Sequence, residues 1–377
     1  MYSLGVLFPL PSDFTGINYT CLSLCQAMQS ERLDVELVTP MVRRQARREF
    51  VASVIPQRIN CLPYSVIRRP IDWMTSRTFL RKAGSKDVVY LWSGISTGLI
   101  EKLRDKDVII VREKFNCHQG YAKRILDQEY KRLGLSVRHH ITESRVARER
   151  MELDLVDYVF CPSPMVKRSM LEEGVPGAKL LLSSYGWEPA RVSATASRNR
   201  ETGSPLKVLF VGRVCVRKGA HLLLQYWESA NIDGQLLLAG AVDDEVREMC
   251  AVQLARPDVI ALGHVSEIGE VYRDADIFVF PSFEEGGPLV TYEAMGCGLP
   301  VIVSPMGAGS IACDGVHGYV RDPLDEAGWV EALQKLAGSA ELRREFGAAC
   351  GAHAKDYTWS KVGSRRASML VNILEGG

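Results

Sequence analysis

The chain has 377 residues, 46% of them apolar, and a formal net charge of +1. That length fills two hydrophobic cores at ~150 residues per domain, and the near-neutral balance excludes a protein that binds polyanions such as nucleic acid by bulk charge. Ten cysteines without a CxxC pair and seven scattered histidines exclude a zinc-ligand grouping and fit reduced thiols in a cytoplasmic protein.

In chain order, the opening Met1-Tyr2-Ser3-Leu4-Gly5-Val6-Leu7-Phe8 has no basic leader and no small-residue cleavage site. It predicts a buried strand over residues 4–8 and not a signal peptide. No run approaches the ~18 apolar residues that span a bilayer. A loop holding Gly16 leads to a helix predicted over residues 19–29, with Leu22, Cys25, Ala27 and Met28 turned inward. Further strands are predicted over residues 35–38, 87–92, 108–111, 158–161 and 179–182. Separated by helical stretches, they make βαβ units and a parallel sheet, with ligands bound beyond the strand carboxyl ends. Residues 188–206 are polar and aperiodic, with Pro189, Gly203 and Pro205, and read as a linker. A second alternating series starts at Lys207, so the predicted fold class is α/β with two Rossmann-like domains facing across a cleft.

Two segments carry chemistry. Ile277-Phe278-Val279-Phe280-Pro281-Ser282 reads as a buried strand, and the loop Glu285-Gly286-Gly287-Pro288 precedes a helix opening near Leu289 and Val290. A helix N-terminus at a strand's carboxyl end attracts anions, because first-turn N–H groups and the helix dipole both point there. Glu285 falls in the loop and Glu293 about a turn into the helix. The second segment, Val208 to Gly219, is a strand and a glycine turn carrying Arg213 and Lys218 five residues apart before another helix. At the edge of the same cleft, arginine forks two phosphate oxygens while lysine acts as a point charge. No GxxxxGK[ST] loop is present, and no GxGxxG follows a strand. Asp243 and Asp244 are adjacent and lack the Asp-x-Asp spacing that holds a metal, so no metal is expected.

Glu285-x(7)-Glu293, followed by Cys297-Gly298-Leu299-Pro300, and Gly212-Arg213-x(4)-Lys218-Gly219 resemble the matching segments of retaining GT-B glycosyltransferases of family 4 (glycosyl transferases group 1). The resemblance covers residues 206–323 and is diffuse before them. It implies a GT-B fold with an acceptor domain over residues 1–188, a linker over 189–206, a nucleotide-sugar domain over 207–356 and a last helix over 357–377 that crosses back to the first domain. It further implies that Arg213 and Lys218 grip a diphosphate, that Glu285 holds sugar hydroxyls through Gly286 and Gly287, and that Glu293 chelates the ribose. Gly16, Pro288, Leu289 and Val290 complete the donor site, and the backbone at His264 and Val265 meets the base. Relatives carry a histidine after the strand at 108–111. Here the run is Arg112-Glu113-Lys114-Phe115-Asn116-Cys117-His118, which makes His118 the candidate catalytic imidazole and Glu113 the alternative. Tyr185-Gly186-Trp187 is expected to shape the acceptor side.

The implied reaction is retaining hexosyl transfer from a nucleoside-diphosphate sugar, without cofactor or metal, to a sugar, glycolipid or lipid-linked diphosphate, as in polysaccharide assembly. A GT-B-like nucleotide-sugar 2-epimerase and a non-catalytic nucleotide-sugar-binding protein are the rival readings. Residues 41–86 hold eleven basic residues (Arg43, Arg44, Arg47, Arg48, Arg58, Arg68, Arg69, Arg77, Arg81, Lys82 and Lys86) against Glu49 and Asp72, a net of +9, interleaved with Phe50, Ile55, Tyr64, Ile67, Ile71, Trp73 and Phe79. That pattern predicts peripheral contact with an anionic membrane at its inner face.

Overall fold

The computed structural model describes residues 1–11, 16–43, 48–55, 64–192 and 204–376. Seven parallel strands form the first sheet: β1 (Tyr2–Leu7), β2 (Leu33–Thr39), β3 (Val51–Ser53), β4 (Val88–Leu91), β5 (Ile109–Glu113), β6 (Tyr158–Cys161) and β7 (Leu180–Leu182), in the order β3-β2-β1-β4-β5-β6-β7. Parallel strands covered on both faces need apolar residues at every position, and β4 (Val-Val-Tyr-Leu) is buried throughout. Its Val88 and Tyr90 face one core with Leu4, Val6 and Phe8, while Val89 and Leu91 face the other with Leu7.

The second sheet repeats the plan: β8 (Leu206–Val211), β9 (Gly234–Ala239), β10 (Val259–Gly263), β11 (Ile277–Phe280), β12 (Val301–Val303) and β13 (Gly318–Val320), in the order β10-β9-β8-β11-β12-β13. Strand order reverses between β1 and β4 and again between β8 and β11. In open α/β sheets such reversals open a crevice at the carboxyl ends. Each predicted strand overlaps one of these elements, with ends that differ by no more than two residues, as at β1 (4–8 predicted) and β4 (87–92 predicted). Sequence reasoning placed no element between residues 39 and 86, where the structure has the edge strand β3 and the helix Tyr64–Ala83 with Pro70 inside it.

The chain passes between the halves twice, and the two passages lie side by side. Trp187 N–H donates to the Tyr357 carbonyl (3.0 Å), Trp359 N–H to the Trp187 carbonyl (3.2 Å), and the Trp187 indole to the Ala354 carbonyl (2.8 Å). The helix Trp359–Leu374 then lies on the helix Gly16–Met28, and the Trp359 indole donates to the Tyr19 hydroxyl (2.7 Å). From this helix the fully buried Arg366 donates to Glu113 (2.7 Å), the Tyr90 hydroxyl (2.9 Å), Ser183 Oγ (2.9 Å) and the Ser184 carbonyl (3.1 Å).

A further tie runs from the helix Gln119–Arg132. Buried Glu129 accepts from His221 Nε2 (2.6 Å) and from Arg132 (2.7 and 2.8 Å), and the Tyr130 hydroxyl donates to Glu245 (2.9 Å). Burial alone would raise the Glu129 carboxyl, but Arg132 and His221 outweigh it and lower it from 4.5 to about 2. A carboxylate lowered on folding stabilises above its ordinary pKa, and that contribution fades as pH falls toward the folded value. Glu129→Gln is therefore expected to lower the thermal midpoint markedly at pH ~7 and much less at pH ~3. Equal losses in melts at the two pH values would refute the tie.

Candidate active site

The carboxyl ends of β8 and β11 build the core of the site. After β8 a tight 3-10 turn, Val216–Lys218, presents two adjacent cations just before the helix Ala220–Ala230. After β11 the loop 281–288 presents two adjacent acids before the helix Leu289–Gly296. Lys218 Nζ donates to Glu285 Oε1 (2.6 Å), and so does buried Ser282 Oγ (3.0 Å). Arg217 Nη1 donates to the Glu284 carbonyl (3.0 Å) and to Glu284 Oε2 (2.9 Å), and it lies 3.7 Å from Glu285 Oε1. Burial would raise the Glu285 carboxyl, but Lys218 and Arg217 outweigh it and hold it below the ordinary range. For Glu284 burial wins and pushes the carboxyl up against the pull of Arg217.

The first half closes on this loop from the ends of β5 to β7. Asn116 pairs with Gly286 in an antiparallel bridge, and a Cβ at position 286 would run into the Phe115 carbonyl, so only glycine permits the approach. Cys117 Sγ lies 3.8 Å from Glu284 Oε1. Ser310 Oγ, from the loop after β12, reaches the carbonyls of Pro162 (3.1 Å) and Ser183 (3.0 Å).

Beside this contact lies a cavity of ≈ 1030 Å³. Its floor is Val211-Gly212 and Ala239-Gly240-Ala241, the ends of β8 and β9. A Cβ on Gly240 would strike the Gly212 carbonyl, so glycine lets that floor close. One wall is His264, Val265 and Ile268, and the facing wall is Tyr130 with residues 138–141 of the first half. Asn116, Arg217 and Glu284 meet at another point of its lining. The volume is at the upper end of the range for small-molecule sites.

The structure distributes the predicted residues unevenly. Val265 and Arg213 line the cavity, although the Arg213 side chain is 70% exposed and turned to Asp243. Lys218 and Glu285 are brought together as an ion pair, and Gly286 and Gly287 are pinned against Phe115 and Tyr185. Pro288 caps the helix that Leu289 and Val290 open, with Leu289 packed on the first half's core. Glu293 is half-buried and accepts from the Tyr272 hydroxyl (3.1 Å). Burial pushes its carboxyl up, against Arg191 and Tyr272, and it stands off the cavity lining. Gly16 opens its helix with φ +50°, and residues 12–15 before it lie outside the described residues.

His118 is not brought to the cavity. It is fully buried and caps the helix Gln119–Arg132, its Nδ1 accepting from Gly120 N–H (3.0 Å). Its remaining proton sits on Nε2, 3.4 Å from Glu149, and burial lowers its pKa. Glu113, the alternative, is fully buried and bound to Arg366. Trp187 is packed at the crossing against Gly296, and Tyr185 lies beneath Gly287, so neither faces open space as an acceptor surface would. Sequence reasoning passed over Arg217, Glu284, Asn116 and the wall at 138–141. The first two had a signal, since each doubles a charge already singled out. Among the described residues no group of three or more His, Cys, Asp or Glu is placed to hold a metal.

Solved structures share this architecture over the whole chain. Sucrose-phosphate synthase from Thermosynechococcus elongatus aligns with a TM-score of 0.74 at 19% identity, covering 100% of both chains. WaaG, a glycosyltransferase involved in lipopolysaccharide biosynthesis, aligns at 0.67 and 14%, covering 99% of this chain and 100% of its own. The fold is GT-B. A third GT-B neighbour, Anabaena HepE in complex with UDP and glucose, aligns at 0.69 and 13%, covering 99% and 100%.

Within the GT-B chain, residues 205–339 match the family described as Glycosyl transferases group 1. The D-inositol 3-phosphate glycosyltransferase of Paenarthrobacter aurescens is 30% identical over 171 residues, 41% of this chain and 41% of that protein. Its namesake from Corynebacterium glutamicum is 30% identical over 216 residues, 53% and 51%. The chain spans about half the length of the curated relatives it matches.

Proposed function

We propose that this GT-B chain is a retaining, metal-independent glycosyltransferase of family 4 and the E-x(7)-E type, moving a hexosyl group from a nucleoside-diphosphate sugar to an acceptor. The observation that carries this reading is the meeting of Lys218 and Glu285 beside a nucleotide-sized cavity, inside the segment that matches the glycosyltransferase family. A neighbour of the same fold binds UDP and glucose. In this reading residues 207–356 hold the donor and residues 1–188, with the helix of 357–377, hold the acceptor, joined through 189–206.

The barrier in such a transfer is departure of the diphosphate as positive charge grows on the anomeric carbon. Lys218 leaves Glu285 to neutralise the departing phosphate, and Glu285, freed, accepts hydrogen bonds from the sugar hydroxyls. A donor in place on the developing charge is commonly worth ~3 kcal/mol, from which the cost of parting Lys218 from Glu285 is subtracted. Saturating the protein with its nucleoside diphosphate at ~100 times Kd stabilises it by ~2.7 kcal/mol, so a thermal-shift panel of nucleotides tests the donor reading. No shift with any of them would end it. Nucleotide release that requires an acceptor separates transfer from 2-epimerisation and from mere binding. Activity is expected to persist in EDTA, and loss restored by manganese would overturn metal independence.

The acceptor side is read as peripheral to an anionic, cytoplasmic-facing membrane. The helix Tyr64–Ala83 exposes Trp73 (60%), with the Arg77 guanidinium 5.2 Å over its ring, beside exposed Met74. Lys82 and Lys86 pair with Glu36, and Arg68 with Asp72, so the free positive charge is below the sequence count. Arg44, Arg47 and Arg58 lie outside the described residues. No helix among the described residues is long and apolar enough to cross a membrane. Cosedimentation with anionic vesicles should exceed that with neutral ones and fall at ~1 M salt, where the Debye length is ~3 Å. Equal binding to both lipids would remove the contact.

A further inference from the structure

The cavity's lining is charged where Asn116, Arg217 and Glu284 meet, whereas Val265 and Ile268 on one wall face Tyr130, His139 and Ile141 on the other. Charge suits phosphate, and a slot walled by carbon suits a planar heterocycle. The first half supplies its wall from the loop between the helices Gln119–Arg132 and Glu143–Leu155. Residues 135–138 and 140 of that loop are exposed, but the His139 side chain is only 7% exposed. Its Nδ1 accepts from the Ile141 N–H (3.3 Å), which leaves the proton on Nε2 to donate to Asp127 Oδ1 (2.8 Å). Among the described residues, that last contact is the one side-chain hydrogen bond tying residues 134–141 to the rest of the chain. The ring also packs edge-on with Tyr130, centroids 5.9 Å apart at 61°, and the Tyr130 hydroxyl is itself fixed on Glu245 (2.9 Å). Both imidazole nitrogens are thus engaged by the protein. What His139 offers the cavity it lines is ring surface, oriented before any ligand arrives.

We propose that His139, backed by Tyr130, is the surface on which the donor's nucleobase stacks, supplied by the first half against Val265 and Ile268 of the second. This assignment rests on the reading of the cavity as a nucleotide-sugar site and extends it to a segment outside the residues that match the glycosyltransferase family. A stacking surface is indifferent to which base it meets, because every base has a π face. His139 therefore contributes affinity for the base, and choice among bases falls to groups at the base edge. Asp127 acts as a positioning residue, holding the ring without touching the ligand.

The test is titration of the purified full chain with UDP, GDP and ADP, and with pyrophosphate as a probe that lacks the base. His139→Ala is expected to weaken binding of whichever diphosphates the wild type takes by ~10–100-fold, the loss of one stacked ring, and to change pyrophosphate binding by no more than ~2-fold. His139→Phe separates the ring from the anchoring of the loop. It gives up both nitrogen contacts, as the alanine does, while Asp127 keeps Lys123 (2.6 Å), and it restores an aromatic face. Its diphosphate affinity is expected within ~3-fold of wild type. Equal losses in the alanine and phenylalanine variants would assign His139 to loop anchoring and overturn the stacking role. Equal losses for diphosphate and pyrophosphate overturn it as well. A wild-type chain that binds none of the three diphosphates overturns the donor reading and this assignment with it. Wild-type binding that His139→Ala leaves intact overturns the assignment alone.

Discussion

Replacing Arg366 by Met is expected to cost ~3–5 kcal/mol of stability, the penalty for removing one member of a buried ion pair. Arg366 and Glu113 are both fully buried, and Glu113 accepts from Arg366 and from the Tyr90 hydroxyl. Without the guanidinium, the carboxylate keeps a single donor in an apolar surround of Tyr90, Phe160 and Tyr185, while Ser183 and the Ser184 carbonyl lose their donor as well. The loss should show in urea unfolding as a lower midpoint at nearly unchanged slope. The double variant Arg366→Met/Glu113→Gln, which removes the stranded charge, should recover much of it. A single-variant cost below ~1 kcal/mol would mean that the pair is solvated and that the last helix is held only by its apolar face.

The second large effect is expected at the glutamates. Glu285→Ala removes the carboxylate that Lys218 and Ser282 hold in place, and it should lower kcat ~100–1,000-fold with a modest change in donor KM, as for an interaction that strengthens as the leaving group departs. Glu293→Ala should act the other way. The resemblance gives Glu293 the ribose, a contact that would be equally strong in the ground and transition states, so its loss should raise donor KM and spare kcat. Steady-state kinetics on the two variants decide the matter, and the reversed pattern would sink the division of labour. Because Lys218 and Arg217 hold the Glu285 carboxyl of the free protein below its ordinary range, it stays ionised there through the neutral and mildly acidic range, and the acid limb of kcat/KM should not begin with it.

Legibility in the sequence followed the range of the forces involved. Strands such as Ile277–Phe280 and Val301–Val303 declared themselves, because a doubly covered parallel sheet demands unbroken apolar runs. The helix Tyr64–Ala83 did not, since charges lie all around it, Pro70 stands inside it, and its buried face, Ile71, Thr75, Phe79 and Ala83, is narrow and broken by a threonine. The spacing of Glu285 and Glu293, and of Arg213 and Lys218, gave the loops that border the cavity. It did not reveal how each arginine of that turn is held, because that depends on Asp243 and Glu284, 30 and 67 residues away. His118 was open to misreading for the same reason. Its part as a helix cap depends on Gly120 nearby, but its burial depends on Glu149 and Glu173, which arrive from other helices. The wall at residues 138–141 had no local signature at all, being made a wall only by the second half opposite.

The paired crossings at Trp187 and Thr358 make the second half a cassette inserted into a host. The host's core is discontinuous in sequence, since Trp359, Val362, Leu370 and Val371 pack with Leu4, Val6, Leu22 and Tyr90. A single recombination joint near residue 190 would therefore graft a foreign last helix onto this core. At position 363 any side chain would strike Ala27 of the helix Gly16–Met28, and without an arginine at 366 Glu113 is stranded. Two joints, one on each of the hydrogen-bonded passages, exchange the cassette and leave that core intact. Shuffling among relatives should thus yield folded chimeras when the last helix travels with the first half, and misfolded ones when it travels with the second.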